Sequence, residues 1–160
     1  MARPVYILCS ESGSEDKATS LISHFQVVDQ IELREMPQLT TPGAPVVIAM
    51  IRLHATAVWE ADPDVDIGRN FRFENCIYLP PDGRKIPANN GMFTFEKSRY
   101  RFTINVLGMV LSEPGSLVVE SKICPEGSDD WLTQSYSISV VKVPAEDKAG
   151  ESNTEGTGSP

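Results

Sequence analysis

A two-residue alternation of apolar and polar side chains near residue 100 constrains the fold more than any other feature of this sequence. The bulky residues Tyr100, Phe102, Ile104 and Val106 alternate with arginine, threonine and asparagine. A period of two places the four apolar side chains on one face of a β-strand and the polar ones on the other face. The segment therefore predicts a strand that buries one face against a core.

Two further apolar runs follow this strand and predict two more. A turn at residues 113–116 contains a proline and a glycine, which favour tight turns, and an apolar run begins directly after it. Apolar residues alternate with serine again between residues 135 and 140. The region from 99 to 143 therefore predicts three consecutive antiparallel strands, a meander with one buried face.

The segments before residue 99 carry the signals of further strands. Apolar or alternating runs predict strands at residues 5–9, 21–33, 46–59, 71–79 and 92–95, and polar, acidic or proline-containing stretches predict loops at 10–20, 34–45, 60–70 and 85–91. The prolines within 34–45 predict an extended crossover between two sheets. The whole pattern predicts an all-β domain of about eight strands, folded as an immunoglobulin-like sandwich of two antiparallel sheets. A closed barrel is the alternative.

The end of the chain differs in composition from the rest. Residues 144–160 contain four acidic residues, one lysine and no large apolar residue. Such a segment has too little apolar surface to offset the entropy lost on ordering. We therefore predict a β-sandwich domain at residues 1–143 and a disordered acidic tail at residues 144–160.

Several short motifs resemble those of small bacterial proteins that form immunoglobulin-like sandwiches. In chain order the motifs are Ala-Val-Trp at 57–59, Asp-Ile-Gly at 66–68, Leu-Pro-Pro-Asp-Gly at 79–83, Arg-Tyr-Arg-Phe at 99–102 and Glu-Pro-Gly at 113–115. These motifs supply turn and core residues. The resemblance implies a sandwich fold, and because that family has no assigned activity it implies no functional residue.

Composition and charge narrow the classes of function. The net charge of −8 argues against non-specific nucleic-acid binding. No run approaches the roughly 20 apolar residues of a membrane-spanning helix, and the first residues lack the pattern of a secretory signal peptide. The three cysteines are far apart and odd in number. These features predict a cytoplasmic protein with reduced thiols and no membrane association.

Cys9 and His24 have the residue types of a nucleophile and its general base, which can meet across the first predicted hairpin. An activated thiolate also needs a nearby cation or a helix N-terminus. The sequence predicts no helix and offers no third residue to orient the histidine. A buried structural thiol and a surface histidine are the simpler interpretation, so we predict no catalytic residue.

Asp62, Asp64 and Asp66 place three carboxylates at every second position of a predicted loop, a pattern that can converge on Ca²⁺. An EF-hand would need glycine at the sixth position and glutamate at the twelfth, but these positions hold Ile67 and Phe73. A solvated acidic turn is the simpler interpretation. We therefore predict no cofactor, with Ca²⁺ as the alternative.

Lys97, Arg99 and Arg101 form a basic row on the exposed face of the strand near residue 100. Such a row can contact an acidic partner or phosphates. Acidic residues in the neighbouring segments offer cross-strand charge pairing as the ordinary explanation.

These observations together favour a non-catalytic β-sandwich that acts by binding another protein through its loops or a sheet face. One alternative is an enzyme with a Cys/His or metal-assisted site. Another is a structural subunit whose exposed strand edges pair within a larger assembly. The sequence identifies neither the partner nor the oligomeric state.

Overall fold

A computed structural model of the chain describes residues 1–16, 22–36 and 46–144. These residues form nine β-strands and no helix. In chain order the strands are β1 (Arg3–Glu15), β2 (Ile22–Val27), β3 (Gln30–Met36), β4 (Val46–Glu60), β5 (Asn70–Leu79), β6 (Arg84–Thr94), β7 (Arg99–Leu111), β8 (Gly115–Pro125) and β9 (Leu132–Lys142).

The strands form two sheets that pack face to face. The first sheet has the order β2-β1-β4-β7 and is antiparallel throughout. The second has the order β3-β9-β8-β5-β6 and is antiparallel except for the parallel pair β3–β9. The sheets join at one end, where Arg34–Met36 of β3 pairs with Val46–Ile48 of β4. The predicted two-sheet β-sandwich is confirmed.

The three strands of the predicted meander are present, but they do not form a meander. Strand β7 pairs with β4 in the first sheet, whereas β8 and β9 pair with each other in the second. Phe102 and Ile104 therefore reach the core from one sheet, and Leu117 and Val119 reach it from the other. The alternation shows which side chains of a strand face the core. It does not show the strand's partners, because the same face is buried whether two strands are hydrogen-bonded in one sheet or lie in the two opposite sheets of a sandwich.

The predicted long strand at residues 21–33 is broken into β2 and β3, which belong to different sheets. The break follows Gln26, whose φ of 56° lies in the left-handed region. The amide of Val28 then donates to the carbonyl of Cys9 in the first sheet, and the carbonyl of Asp29 accepts from Ser139 in the second. The chain thus changes sheet between Val28 and Asp29.

Two predicted loops contain strand in the structure. Residues 10–15 continue β1 and pair with β2. Residues 85–91 belong to β6, which pairs with β5 along its whole length. Most of β6 is exposed, so it has no buried face to produce an alternating pattern. The rest of the predicted crossover, at 37–45, and the predicted disordered tail, from 145 onward, lie outside the described residues.

Two apolar clusters fill the space between the sheets. The larger cluster is aliphatic and includes Leu33, Leu53, Ile77, Leu117 and Ile138. The other is mainly aromatic and is built from the following residues at the opposite end of β4 and β5: Trp59, Phe71, Phe93, Phe95 and Phe102. Within the described part of the chain, no helix is long and apolar enough to cross a membrane.

Candidate functional site

Cys9 and His24 lie on neighbouring strands but face different environments. Cys9 is fully buried in the aliphatic cluster, and this burial raises the pKa of its thiol to about 12. His24 lies with its Nδ1 3.3 Å from the hydroxyl of Ser10, the residue after Cys9. Successive side chains of a strand point to opposite faces, so this contact places His24 on the side away from the thiol. No hydrogen bond joins Cys9 to His24 among the described side chains.

The structure instead groups His24 with His54 on the outer face of the first sheet. The two rings are 6.1 Å apart between centroids. The Nδ1 of His54 lies 2.8 Å from Oδ1 of Asn105, so its N–H donates to that amide oxygen. Thr56 lies 3.3 Å from Nε2 of His54. Sequence reasoning missed this cluster because its members come from four strands and have no common spacing.

The histidine cluster has the contacts of a structural element. Burial, followed by the positive charges of His54 and Arg101, lowers the pKa of His24 below its ordinary value. The Ser10 hydroxyl is fully buried and donates to the main-chain oxygen of Ser12. A substrate therefore cannot reach this hydroxyl without displacing the β1–β2 hairpin.

The carboxylates of Asp62 and Asp66 are occupied by local contacts, whereas Asp64 contributes its main-chain amide. The carboxylate of Asp62 accepts hydrogen bonds from the Met1 ammonium group at 2.8 Å and from the amide of Asp64 at 3.1 Å. Asp66 is buried and accepts from the amide of Asp62 at 2.9 Å. The ammonium group lowers the pKa of Asp62. No set of three or more histidine, cysteine, aspartate or glutamate side chains in the described residues is placed to hold a metal ion.

The basic row is divided between ion pairing and the histidine cluster. Arg99 lies 3.4 Å from Glu60 on β4, which also pairs with Arg3. Hydrogen bonds from Arg3 and Arg99 lower the pKa of Glu60. Arg101 is half-buried near His24, and Lys97 is exposed in the turn before β7. Arg99 of this row is therefore held in a cross-strand ion pair.

A groove of about 1070 Å³ opens where β1, β3 and β4 separate. Its walls are formed by β1, the β2–β3 connection, β3, β4 and β7. The lining residues are Glu11 and Ser12, Gln26–Val28, Gln30–Glu32, Arg34, Ala49–Leu53, and Leu107 and Gly108. The buried side chains in the groove are apolar and belong to Ile31, Ile51 and Leu53. The groove therefore reaches the side chains of the main core.

Three large apolar side chains in the walls of this groove are exposed. Met50 is 75% exposed, Leu107 is 81% exposed and Val27 is 52% exposed. Met50 lies in the outward-facing phase of β4, two residues before Arg52, and Leu107 pairs with Arg52 across the strands. A cluster of exposed apolar side chains around a concavity is typical of an interaction surface.

The main chain of β4 is unpaired on one side within the groove. His54–Glu60 pairs with β1 and Val46–Ile48 pairs with β3. Between them, residues Ala49–Leu53 pair with β7 on one side, and no described residue pairs with them on the other. The gap exists because β1 leaves β4 after Ser10 and continues only with β2.

Sequence reasoning missed the groove, although one signal was present. Met50 and Leu107 are large apolar residues at positions where the alternation calls for polar ones. The gap in the pairing of β4 had no local signal, because it depends on where a distant strand departs. Comparison of the sequence with known protein families and with curated proteins finds no match.

Proposed function

We propose that this protein is a non-catalytic interaction module that binds another protein through the groove between β1, β3 and β4. The observation that carries the proposal is the exposure of Val27, Met50 and Leu107 around a depression lined by buried core residues. Burial of one such side chain contributes about 1.5–3 kcal/mol. Three of them on a concave surface provide a large part of the affinity of a protein contact.

The surroundings of Cys9 and of its neighbour Ser10 support the non-catalytic part of the proposal. The Cys9 thiol is buried and carries its proton at neutral pH, since its pKa is raised to about 12. Ser10 is also buried, and its hydroxyl is already engaged by a main-chain oxygen. Neither side chain presents a nucleophile at the surface.

Site-specific photo-crosslinking in the native cell tests the proposal. A benzophenone amino acid replaces Met50 in one variant of the full chain and Met92 in a matched control. Met92 is 51% exposed but lies on β6, away from the groove. We expect one protein to crosslink at position 50 and not at position 92, and to bind the purified chain at least tenfold more weakly when Leu107 is replaced by aspartate. Equal crosslinking at both positions contradicts the proposal.

A further inference from the structure

We propose that the segment bound in the groove is an extended stretch of the partner that adds to the first sheet as a β-strand along Ala49–Leu53 of β4. This inference rests on the proposed function and names the form of the ligand. It begins from the main chain of β4, which has β7 on one side and no described strand on the other in this interval. Alternate residues of a strand direct their N–H and C=O groups to the unpaired side.

The dimensions of the gap fit a short strand. Five residues of extended chain span about 17 Å. Both strands that flank the gap, β1 and β3, run antiparallel to β4. A bound segment that also runs antiparallel to β4 continues the hydrogen-bonding pattern from β1 to β3. Main-chain pairing of this kind supplies affinity in strand addition.

The side chains of the groove specify an alternating apolar segment. In a bound strand every second side chain points toward the core, where it meets Ile31, Ile51 and Leu53. These partners accept valine, isoleucine or leucine, and they offer no hydrogen bond from their side chains to a polar residue. Side chains of the opposite phase lie near Met50 and Leu107 at the rim.

The charges along the groove are balanced and favour an uncharged ligand. Two acidic residues, Glu11 and Glu32, face two basic ones, Arg34 and Arg52. Arg34 already pairs with Glu32 at 3.0 Å. Neither a strongly acidic peptide nor a phosphate chain finds a net positive surface here, whereas an apolar strand with polar alternate residues meets no opposing charge.

The tail of the chain is close enough to be considered as an occupant but has the wrong composition. The amide of Val143 donates to the carbonyl of Leu33, so the chain leaves β9 beside β3. Residues 145–160 follow this point and contain four acidic residues against one lysine, with no large apolar side chain. They lack the residues that would fill the groove, so we assign it to a separate protein.

Hydrogen exchange of the full chain tests the assignment directly. The probe is a synthetic nine-residue peptide of alternating threonine and valine, with both ends blocked. In the free protein we expect fast amide exchange at the groove-facing positions of 49–53, and at least tenfold slower exchange when the peptide is saturating. The control peptide carries N-methyl groups at the alternate residues whose N–H groups would face β4, which removes the main-chain donors of that edge, and we expect no protection from it. Met50→Asp and Leu107→Asp should weaken peptide binding at least tenfold, while Met92→Asp leaves it unchanged.

Each contrary result overturns the strand assignment. These results are the absence of binding at millimolar peptide, equal binding of the N-methylated peptide, or slow exchange of every amide at 49–53 in the free protein. Stronger binding after truncation at Pro144 would assign the groove to the tail. A dimer in light scattering that Met50→Asp dissociates would assign it to a second copy. A protein that still crosslinks at position 50 would preserve the proposed function while the strand assignment fails.

Discussion

The indole N–H of Trp59 donates a 3.1 Å hydrogen bond to the hydroxyl of Ser121 across the middle of the sandwich. Trp59 lies on β4 in the first sheet and Ser121 lies on β8 in the second, and both side chains are fully buried. A buried indole needs a partner for its N–H, because the group has lost its hydrogen bond to water. This contact therefore ties the two sheets together and satisfies a polar group in the core.

Replacing Ser121 by alanine should destabilise the protein by about 1–3 kcal/mol, because the indole N–H is left buried without an acceptor. Urea unfolding followed by tryptophan fluorescence measures the change. Ser137→Ala is the matched control, since Ser137 is exposed and its partner is the exposed hydroxyl of Ser116. We expect the control to lie within about 0.5 kcal/mol of the parent. Equal losses in the two variants would show that the indole contact contributes nothing specific.

The cysteines should be inert in the folded protein. All three are free and buried, and the pKa of Cys9 is raised by burial to about 12. Below this pH the thiol stays protonated, so iodoacetamide should label Cys9 slowly and at a rate that does not rise between pH 6 and 8. Mass spectrometry of the native and urea-unfolded protein measures the labelling. Rapid labelling of native Cys9 that His24→Ala slows would contradict the geometry and support a nucleophile–base pair.

The local pattern of the sequence predicts strands well but not their partners. The alternation around Phe102 predicts β7 correctly, because that strand buries one face. It cannot distinguish pairing with β8 from pairing with β4, because Phe102 faces the same core in either case. In the segment 21–33, Asp29 is a polar residue at a position where the alternation predicts an apolar one. The structure places the change of sheet next to Asp29.

The candidate site was harder to predict than the fold. Met50 and Leu107 stand out in the sequence as apolar residues in an outward phase, but nothing local shows that they line one groove. Residues 49–53 of β4 are unpaired because β1 stops pairing with β4 at Ser10, which lies opposite His54. These two residues are 44 positions apart in the sequence. Long-range pairing of this kind has no short-range pattern.

Acid should destabilise the protein in part through His24. The pKa of this histidine in the folded state is lowered by burial first and then by the charges of His54 and Arg101. The unfolded chain therefore binds the proton more readily, so stability is full above about pH 6.5 and falls as the pH drops below that value. Urea midpoints between pH 8 and 5 measure the slope, and His24→Gln should make it shallower. An unchanged slope, or an NMR titration of His24 above pH 6.5, would contradict this prediction.

The packing of the β1–β2 hairpin against β4 gives the last prediction, which concerns Gly13 and His54. A Cβ atom added at Gly13 would lie 2.6 Å from two ring atoms of His54, closer than any ordinary contact. The ring cannot turn away freely, because its Nδ1–H is held by Asn105 at 2.8 Å. Gly13→Ala should therefore destabilise the protein by about 1–3 kcal/mol, the usual cost of overpacking.

A double-mutant cycle separates this clash from the ordinary effect of alanine in a strand. His54→Ala alone removes the ring and its hydrogen bonds, and should itself cost about 1–2 kcal/mol. In the His54→Ala background the three atoms nearest to the added methyl group, all in the His54 ring, are gone, so Gly13→Ala should cost less than about 0.5 kcal/mol there. Thermal or urea unfolding of the four proteins gives a coupling free energy of at least about 1 kcal/mol if the two residues are in contact. Additive losses would mean that the β1–β2 hairpin does not pack against His54.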